Sequence, residues 1–407
     1  GEKLWCTNGV IADVIVVMAR TPDKGKKKQI TAFIVDMDTP GVEVIHRCRF
    51  MGLKALYNGV IRFNKVKVPK ENIILAEGKG MKVALNTLNI GRLTLPAICV
   101  GLMKQNLKIC REWTSTRKQW GCEIGKHQAI ADKLATITMD LFAMEAMVMM
   151  TCAAVDKKKD DIRVESAMCK MWGTERAWAA TNETMQIRGG RGYETTESLN
   201  NRGEEPIVVE RNFRDCRVNL IFEGSSEIMR LILAREALDP HLKVAGDVLN
   251  TRLPKKKRII AGIKAFGFYS KWYLKQWLPI YSKIPKDVHP VFKSKLRYVQ
   301  KTSKRLARTL FHAMVAYGPG LDKQQLLLAR IAEIGTELFV ITATVLRANT
   351  KLGKDQQYII DLANCIFTSS KYTIDNLFTD IKKNNDNKNY KLARNVLAKK
   401  YRHLEII

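Results

Sequence analysis

Across residues 128–155, apolar side chains fall at Ile130, Leu134, Ile137, Leu141, Met144 and Val148, alternating steps of four and three. That spacing follows the 3.6-residue helical turn and fits no strand. The middle of the chain is therefore a long helix with one apolar stripe, and a stripe needs partners. Met139, Met144, Met147, Met149 and Met150 thicken it; flexible thioethers fill irregular core gaps. Residues 81–114, 161–187 and 225–237 read as three further helices, with lengths that suit an antiparallel bundle. Gly189, Gly190 and Gly192 end the helix at 161–187, because glycine supplies the positive φ of a helix terminus.

The chain before residue 75 has a different period. Residues 14–18, 30–35, 42–45, 60–63 and 66–68 are short β-branched runs separated by turns, including Pro22-Asp23-Lys24-Gly25 and Pro40-Gly41. They predict an antiparallel sheet ending at Pro69. The chain opens without methionine, directly in strand-like sequence, so further sequence before Gly1 is expected. After residue 289 helices resume at 324–347, 358–378 and 389–404, the first carrying Leu326, Ile331, Ile334, Leu338, Ile341 and Leu346. The chain thus divides into a partial β domain (1–75), a helical bundle (76–241), a basic aromatic linker (242–288) and a second helical domain (289–407).

Charge constrains partners more than fold. Lys and Arg number 69 against 40 Asp and Glu, a net +29. Residues 251–308 hold 17 Lys or Arg and one acid, Asp287, interleaved with Phe266, Phe268, Tyr269, Trp272, Tyr273 and Trp277. Such a mixture suits contact with an acidic membrane surface; a solvated linker is the plainer alternative. No recognition motif accompanies the charge, so nucleic acid is not an expected partner. No run of about 18 uninterrupted apolar residues occurs, so no spanning helix is expected. Nine scattered cysteines without a Cys-x-x-Cys pair predict reduced thiols in an intracellular protein and no metal site.

One carboxylate stands out. Leu220, Ile221 and Phe222 lead to Glu223, then come Gly224, Ser225 and Ser226 before a helix. Glu223 sits at a coil-to-helix junction with an apolar approach, and such surroundings raise a carboxylate's pKa and suit a general base. The plain alternative is a surface acid before a helix.

Five stretches together resemble the acyl-CoA dehydrogenase family, in that family's order. They are Trp5-Cys6-Thr7-Asn8-Gly9 with Ala12-Asp13; residues 32–35, Pro40-Gly41 and 66–69; Arg117-Lys118-Gln119-Trp120-Gly121 with His127-Gln128; Gln186-Ile187-Arg188-Gly189-Gly190-Arg191-Gly192-Tyr193; and Arg214-Asp215 followed by Ile221-Phe222-Glu223-Gly224. The helical continuation to Ile407 resembles the very-long-chain branch. Cys6 and Trp120 depart from the family's usual isoleucine and phenylalanine, and its N-terminal helical domain and T-E-P-x-x-G-S-D strand are not in this sequence.

The resemblance implies an α+β, mostly α fold: a partial antiparallel β domain, a four-helix bundle and a second C-terminal helical domain. It implies FAD-dependent α,β-dehydrogenation of long- or very-long-chain acyl-CoA in fatty acid oxidation. Glu223 would take the α-proton, with its backbone N–H and a flavin ribityl hydroxyl holding the thioester oxygen. Trp5, Thr7, Arg117, Gln119, Trp120, Gln128, Gln186, Gly189, Gly190, Ser225 and Glu227 would contact FAD, the Gln186–Gly190 group reaching a neighbouring subunit's flavin. Asn89, Arg92 and Gly224 would line the substrate. A homodimer is implied, with an electron-transfer flavoprotein as acceptor, in a bacterial cytoplasm or a mitochondrion. Within the same fold, an acyl-CoA oxidase and a non-catalytic assembly protein are the alternatives. The missing walls of the pocket predict weak FAD binding by this chain alone.

Overall fold

A computed structural model describes residues 1–22, 29–157, 161–250, 253–353 and 356–405. Most of the turn expected from residue 22, and the start of the basic segment at 251–252, lie outside the described residues. The strands are β1 (Glu2–Cys6), β2 (Val14–Thr21), β3 (Gln29–Asp36), β4 (Val42–Arg47) and β5 (Gly59–Phe63). β2 and β3 pair antiparallel without a break from Val14↔Asp36 to Thr21↔Gln29. β5 lies between β1 and β4, antiparallel to both. Residues 66–68, expected as a strand, are not in a ladder. Lys65 takes φ 52°, and the Asn64 N–H donates to Gly41 O at 2.8 Å, so the chain turns away where β5 ends.

Helix α1 (Gly80–Thr116) leads to a small hairpin, β6 (Lys118–Gln119) and β7 (Cys122–Glu123). Then come α2 (Gln128–Asp156), α3 (Arg163–Arg188), and the short helices α4 (Gly190–Tyr193), α5 (Thr196–Asn201) and α6 (Val209–Cys216). They are followed by α7 (Ser226–Leu249), α8 (Lys255–Lys275), α9 (Pro290–Tyr317), α10 (Gln325–Thr350), α11 (Gln356–Lys382) and α12 (Asp386–Leu397). The chain forms two compact units, residues 1–138 with 154–225, and 139–153 with 226–407.

In the first unit α1 lies along α3, and the seam is partly polar. Asn106 Nδ2 donates to Thr181 Oγ1 at 2.9 Å, the Cys110 thiol to Thr184 Oγ1 at 3.4 Å, and Trp113 Nε1 to Ile187 O at 3.1 Å. Leu95, Cys99, Met103 and Ala177 are buried. α3 ends as the glycines predict: Gly189 has φ 62° and its N–H bonds to Met185 O at 2.9 Å. The Arg214-Asp215 pair docks the β part on α6. The Leu53 N–H donates to Asp215 Oδ1 at 2.6 Å, and Arg214 Nη1 to Met51 O at 3.0 Å. Gly52 permits this approach, since a Cβ there would stand 2.2 Å from Arg214 O.

The second unit is built on α9, α10 and α11. Phe292, Ile334, Leu338, Ile341, Val345, Ile360, Ile374 and Phe378 form its core, with Phe142 packed against it. Of the stripe expected on α10, Ile331, Ile334, Leu338 and Ile341 are buried and Leu346 half-buried, whereas Leu326, five residues before Ile331 and out of helical register with it, is 54% exposed and Leu328 is buried in its place. α7 continues past residue 237 and through Pro240 to Leu249. The segment read as a linker contains the regular helix α8, whose Tyr269 and Trp272 rings pack with His241 of α7 and Phe311 of α9.

By length and composition α1 and α2 could cross a membrane: each holds an 18-residue stretch of high mean hydropathy, 1.3 and 1.5. Neither is an uninterrupted apolar run, because isolated polar residues such as Asn89 in α1 and Asp140 in α2 break it without lowering the average enough. The core helix of a soluble protein meets the same criterion, and α1 has its partner in α3. Among the described residues no disulfide forms, and no group of three or more His, Cys, Asp or Glu could hold a metal ion.

Candidate active site

A short 3₁₀ turn, Arg217–Leu220, brings the chain to Glu223 just before α7, at the coil-to-helix junction expected. Glu223 has φ 57° and Gly224 φ 95°. A glycine adopts the second of these without strain. The first costs a glutamate about 1 kcal/mol or more, and persists only if its surroundings enforce it. Its surroundings are cationic. Arg92 Nε, on α1, donates to Glu223 O at 3.4 Å, and Lys170 Nζ, on α3, donates to Gly224 O at 2.5 Å. The Glu223 carboxylate lies over Gly91: a Cβ added to that glycine would be 3.4 Å from Oε2. Burial pushes the Arg92 guanidinium below its usual pKa, and the Glu223 charge opposes the fall.

The apolar approach differs from expectation. Ile221 is 58% and Phe222 36% exposed, so neither encloses the carboxylate in this unit. Its neighbours are the bare backbone of Gly91 and the Arg92 guanidinium. Of the substrate-side residues, Arg92 and Gly224 join Glu223, while Asn89 lies half-buried on α1, two positions before Gly91.

The remaining site residues lie on open surfaces of the first unit. β1 loses regular pairing between Lys3 and Cys6, and Trp5 takes φ 58° within that irregularity. A bulge re-aims a side chain, and Trp5 is left 64% exposed. Thr7 follows at the lip of an open cavity of about 520 Å³ lined also by Lys3, Leu4, Cys6, Ala12 and Met18. Trp120, in the turn between β6 and β7, is 91% exposed with φ 50°. Gln119, Gln128 and Gln186 are exposed, and a Cβ at Gly189 or Gly190 would meet nothing within 4 Å. Arg117 is drawn to the glycine loop through one ring. The guanidinium carbons of Arg188, Arg191 and Arg117 lie 4.3, 5.7 and 5.8 Å from the centre of the Trp113 ring. Arg191 is held by the Glu204 carboxylate and Arg188 is buried, which leaves the exposed Arg117 and the uncrowded glycine loop as the groups here suited to phosphate, and Trp5 and Trp120 as exposed indoles suited to a flat ring. Ser225 is half-buried beside Gly224, whereas Glu227 is exposed in the first turn of α7 and belongs to the second unit.

Sequence reasoning passed over Lys170 and Gly91. The signal for Lys170 is its position: Ser166, Gly173, Ala177, Ala180 and Thr184 recur with it on one face of α3, and all are buried. A lysine within a stripe of small residues has been chosen for its charge or its reach, since an unpaired buried ammonium is costly.

Comparison with known proteins agrees with this geometry. The acyl-CoA dehydrogenase middle-domain model matches residues 1–66 and the acyl-CoA dehydrogenase C-terminal-domain model residues 78–238. The chain belongs to the acyl-CoA dehydrogenase family. It is 44% identical over 411 residues to the probable acyl-CoA dehydrogenase FadE10 of Mycobacterium tuberculosis, covering 100% of this chain and 63% of that protein. It is 30% identical over 360 residues to the mitochondrial very long-chain specific acyl-CoA dehydrogenase of Homo sapiens, covering 87% and 53%. A crystal structure of a Bacillus anthracis acyl-CoA dehydrogenase complexed with FAD superposes with a TM-score of 0.74 at 25% identity, covering 94% of this chain and 63% of that one. The chain therefore spans less than two thirds of the length of these relatives.

Proposed function

We propose that this chain carries the proton-abstracting half of an FAD-dependent dehydrogenation site acting on long- or very-long-chain acyl-CoA thioesters, with Glu223 as the base. The observation that carries the reading is the turn itself: a carboxylate in a strained left-handed conformation, seated over Gly91 and backed by Arg92 and Lys170. Strain of this kind is retained where the conformation has work to do.

The chain's own residues supply three things. Glu223 accepts the α-proton from the carbon next to the thioester carbonyl. Its backbone N–H is available to the thioester oxygen, where negative charge develops as the proton leaves. Gly224 keeps the backbone bare where the acyl chain passes. Trp5 and Thr7 would hold the ring system of FAD, and Arg117, Gln119, Trp120 and Gln128 its diphosphate side, with Ser225 and Glu227 toward its adenosine half. Gln186, Gly189 and Gly190 would meet the flavin of a second copy, which makes a homodimer part of the reading. Bound FAD supplies the acceptor for the β-hydride, and an electron-transfer flavoprotein would then receive the electrons. The compartment would be a bacterial cytoplasm or a mitochondrion; the very long-chain relative is named as mitochondrial.

The four-part division read from the sequence stands as a proposal about the chain's organisation. So does peripheral membrane contact. Ile259, Ile263 and Phe266 recur at helical spacing on α8 and are 63%, 68% and 77% exposed, beside the cluster Lys255, Lys256 and Lys257. An apolar face flanked by lysines suits an acidic bilayer surface.

Glu223→Gln in the full-length protein tests the central reading. Acyl-CoA dehydrogenation should fall by about 10²- to 10⁴-fold, the usual contribution of a positioned base. Unchanged turnover would remove Glu223 from the role.

A further inference from the structure

Resting on that reading, we infer that Lys170 is a positioning residue for the base: its buried ammonium grips Gly224 O and, with Arg92 on Glu223 O, fixes the two consecutive peptides that aim Glu223. Three observations carry this. Lys170 is 0% exposed, in a helix face otherwise made of small residues. Its Nζ reaches across to Gly224 O at 2.5 Å from a residue 54 positions earlier in the chain. The peptides it and Arg92 hold are those with left-handed φ, 57° and 95°.

Electrostatics agree with the geometry. The groups facing Lys170 are Arg92 and Cys99 from α1, Glu175 from its own helix and Glu223 from the turn. Burial outweighs the carboxylates, and the Lys170 pKa is brought down to about 8. A charged donor binds a carbonyl more strongly than a neutral one. As pH rises through about 8, the grip on Gly224 O weakens and Glu223 loses its enforced orientation. Misplacement of a reacting group by ångström amounts is enough to cost rate.

Positioning and stability carry opposite signs here. The folded pKa lies below the unfolded value, so above about pH 8 the unfolded chain binds more protons than the native one, up to its ordinary lysine pKa of about 10.4. The Lys170 contribution to stability therefore rises over the window in which turnover falls. A purely structural lysine would not couple the two in this way.

The experiment compares the full-length, FAD-loaded protein with Lys170→Met and Glu223→Gln, following kcat, KM, flavin content and thermal midpoint from pH 6.5 to 9.5 with a long-chain acyl-CoA. The parent should show an alkaline fall in kcat centred near 8. Lys170→Met should lose about 10- to 100-fold in kcat at pH 7, with KM and flavin content within about twofold, and should lack the alkaline limb. If Lys170→Met does not fold, Lys170→Arg keeps a cation at every pH used, and the limb should disappear from it instead. A kcat for Lys170→Met within about twofold of the parent, or a limb near 8 that persists in either variant, overturns the inference while leaving Glu223 as the base. An active Glu223→Gln variant overturns both.

Discussion

The seam between α1 and α3 and the core of α9, α10 and α11 are made from similar helices by different means. The first buries Arg92, Asn106, Lys170, Thr174, Thr181, Thr184 and Arg188; the second is dominated by Phe292, Ile334, Leu338, Ile341, Val345 and Phe378. Buried polar groups cost free energy unless paired, and apolar packing is the simpler way to hold helices together. The polar seam therefore has a purpose that the apolar core lacks, and the purpose lies where Arg92 and Lys170 end, on the carbonyl groups of Glu223 and Gly224. The second unit keeps its own buried exceptions, Lys295 and Glu337 among them; Lys295 Nζ donates to Val291 O within its own helix.

The contrast yields a graded set of expectations. Glu223→Gln should remove most turnover while leaving the thermal midpoint near that of the parent; a variant that lost stability in step with activity would make the turn another piece of scaffold. Phe292→Ala should do the reverse. Phe292 is 0% exposed, and its truncation should cost about 3–5 kcal/mol of stability, read by chemical denaturation, while the folded fraction keeps its kcat. Gly52→Ala tests the joint between the β part and α6. A Cβ 2.2 Å from Arg214 O forces the loop away, at about 1–3 kcal/mol, and flavin retention should fall with it if Trp5 and Thr7 are held by that joint. Neutralising Lys255, Lys256 and Lys257 together should weaken co-sedimentation with phosphatidylglycerol vesicles by about 1 kcal/mol per charge. Binding that ignored these charges would leave the exposed face of α8 without its electrostatic partner.

Much of the fold was legible because it follows from periodicity. The stripe from Ile130 to Val148, the paired runs of β2 and β3 and the Gly189 terminus all reflect short-range rules, and the structure keeps them. Residues 66–68 and the segment containing α8 show where those rules stop. A strand needs a partner to pair with, and residues 66–68 lie in no ladder; basic residues at 255–275 form a helix whose aromatic side has α7 and α9 to pack on.

Glu223 itself was legible by resemblance, yet the apolar enclosure expected around it was not found; Gly91, Arg92 and Lys170 stand there instead. Lys170 was hidden because composition places lysine outside. Only its register with Ser166, Gly173 and Ala177 places it inside, and its contact with Gly224 spans a separation that no local pattern encodes.

The most direct test follows the proton. In D₂O the full-length protein is mixed with a 3-thia-acyl-CoA, whose sulfur replaces the carbon that would lose hydride, and deuterium entering the carbon next to the carbonyl is measured by mass. The account predicts steady exchange with the parent and loss of about 10²-fold or more with Glu223→Gln. Exchange that continues at the parental rate without the Glu223 carboxylate would contradict it.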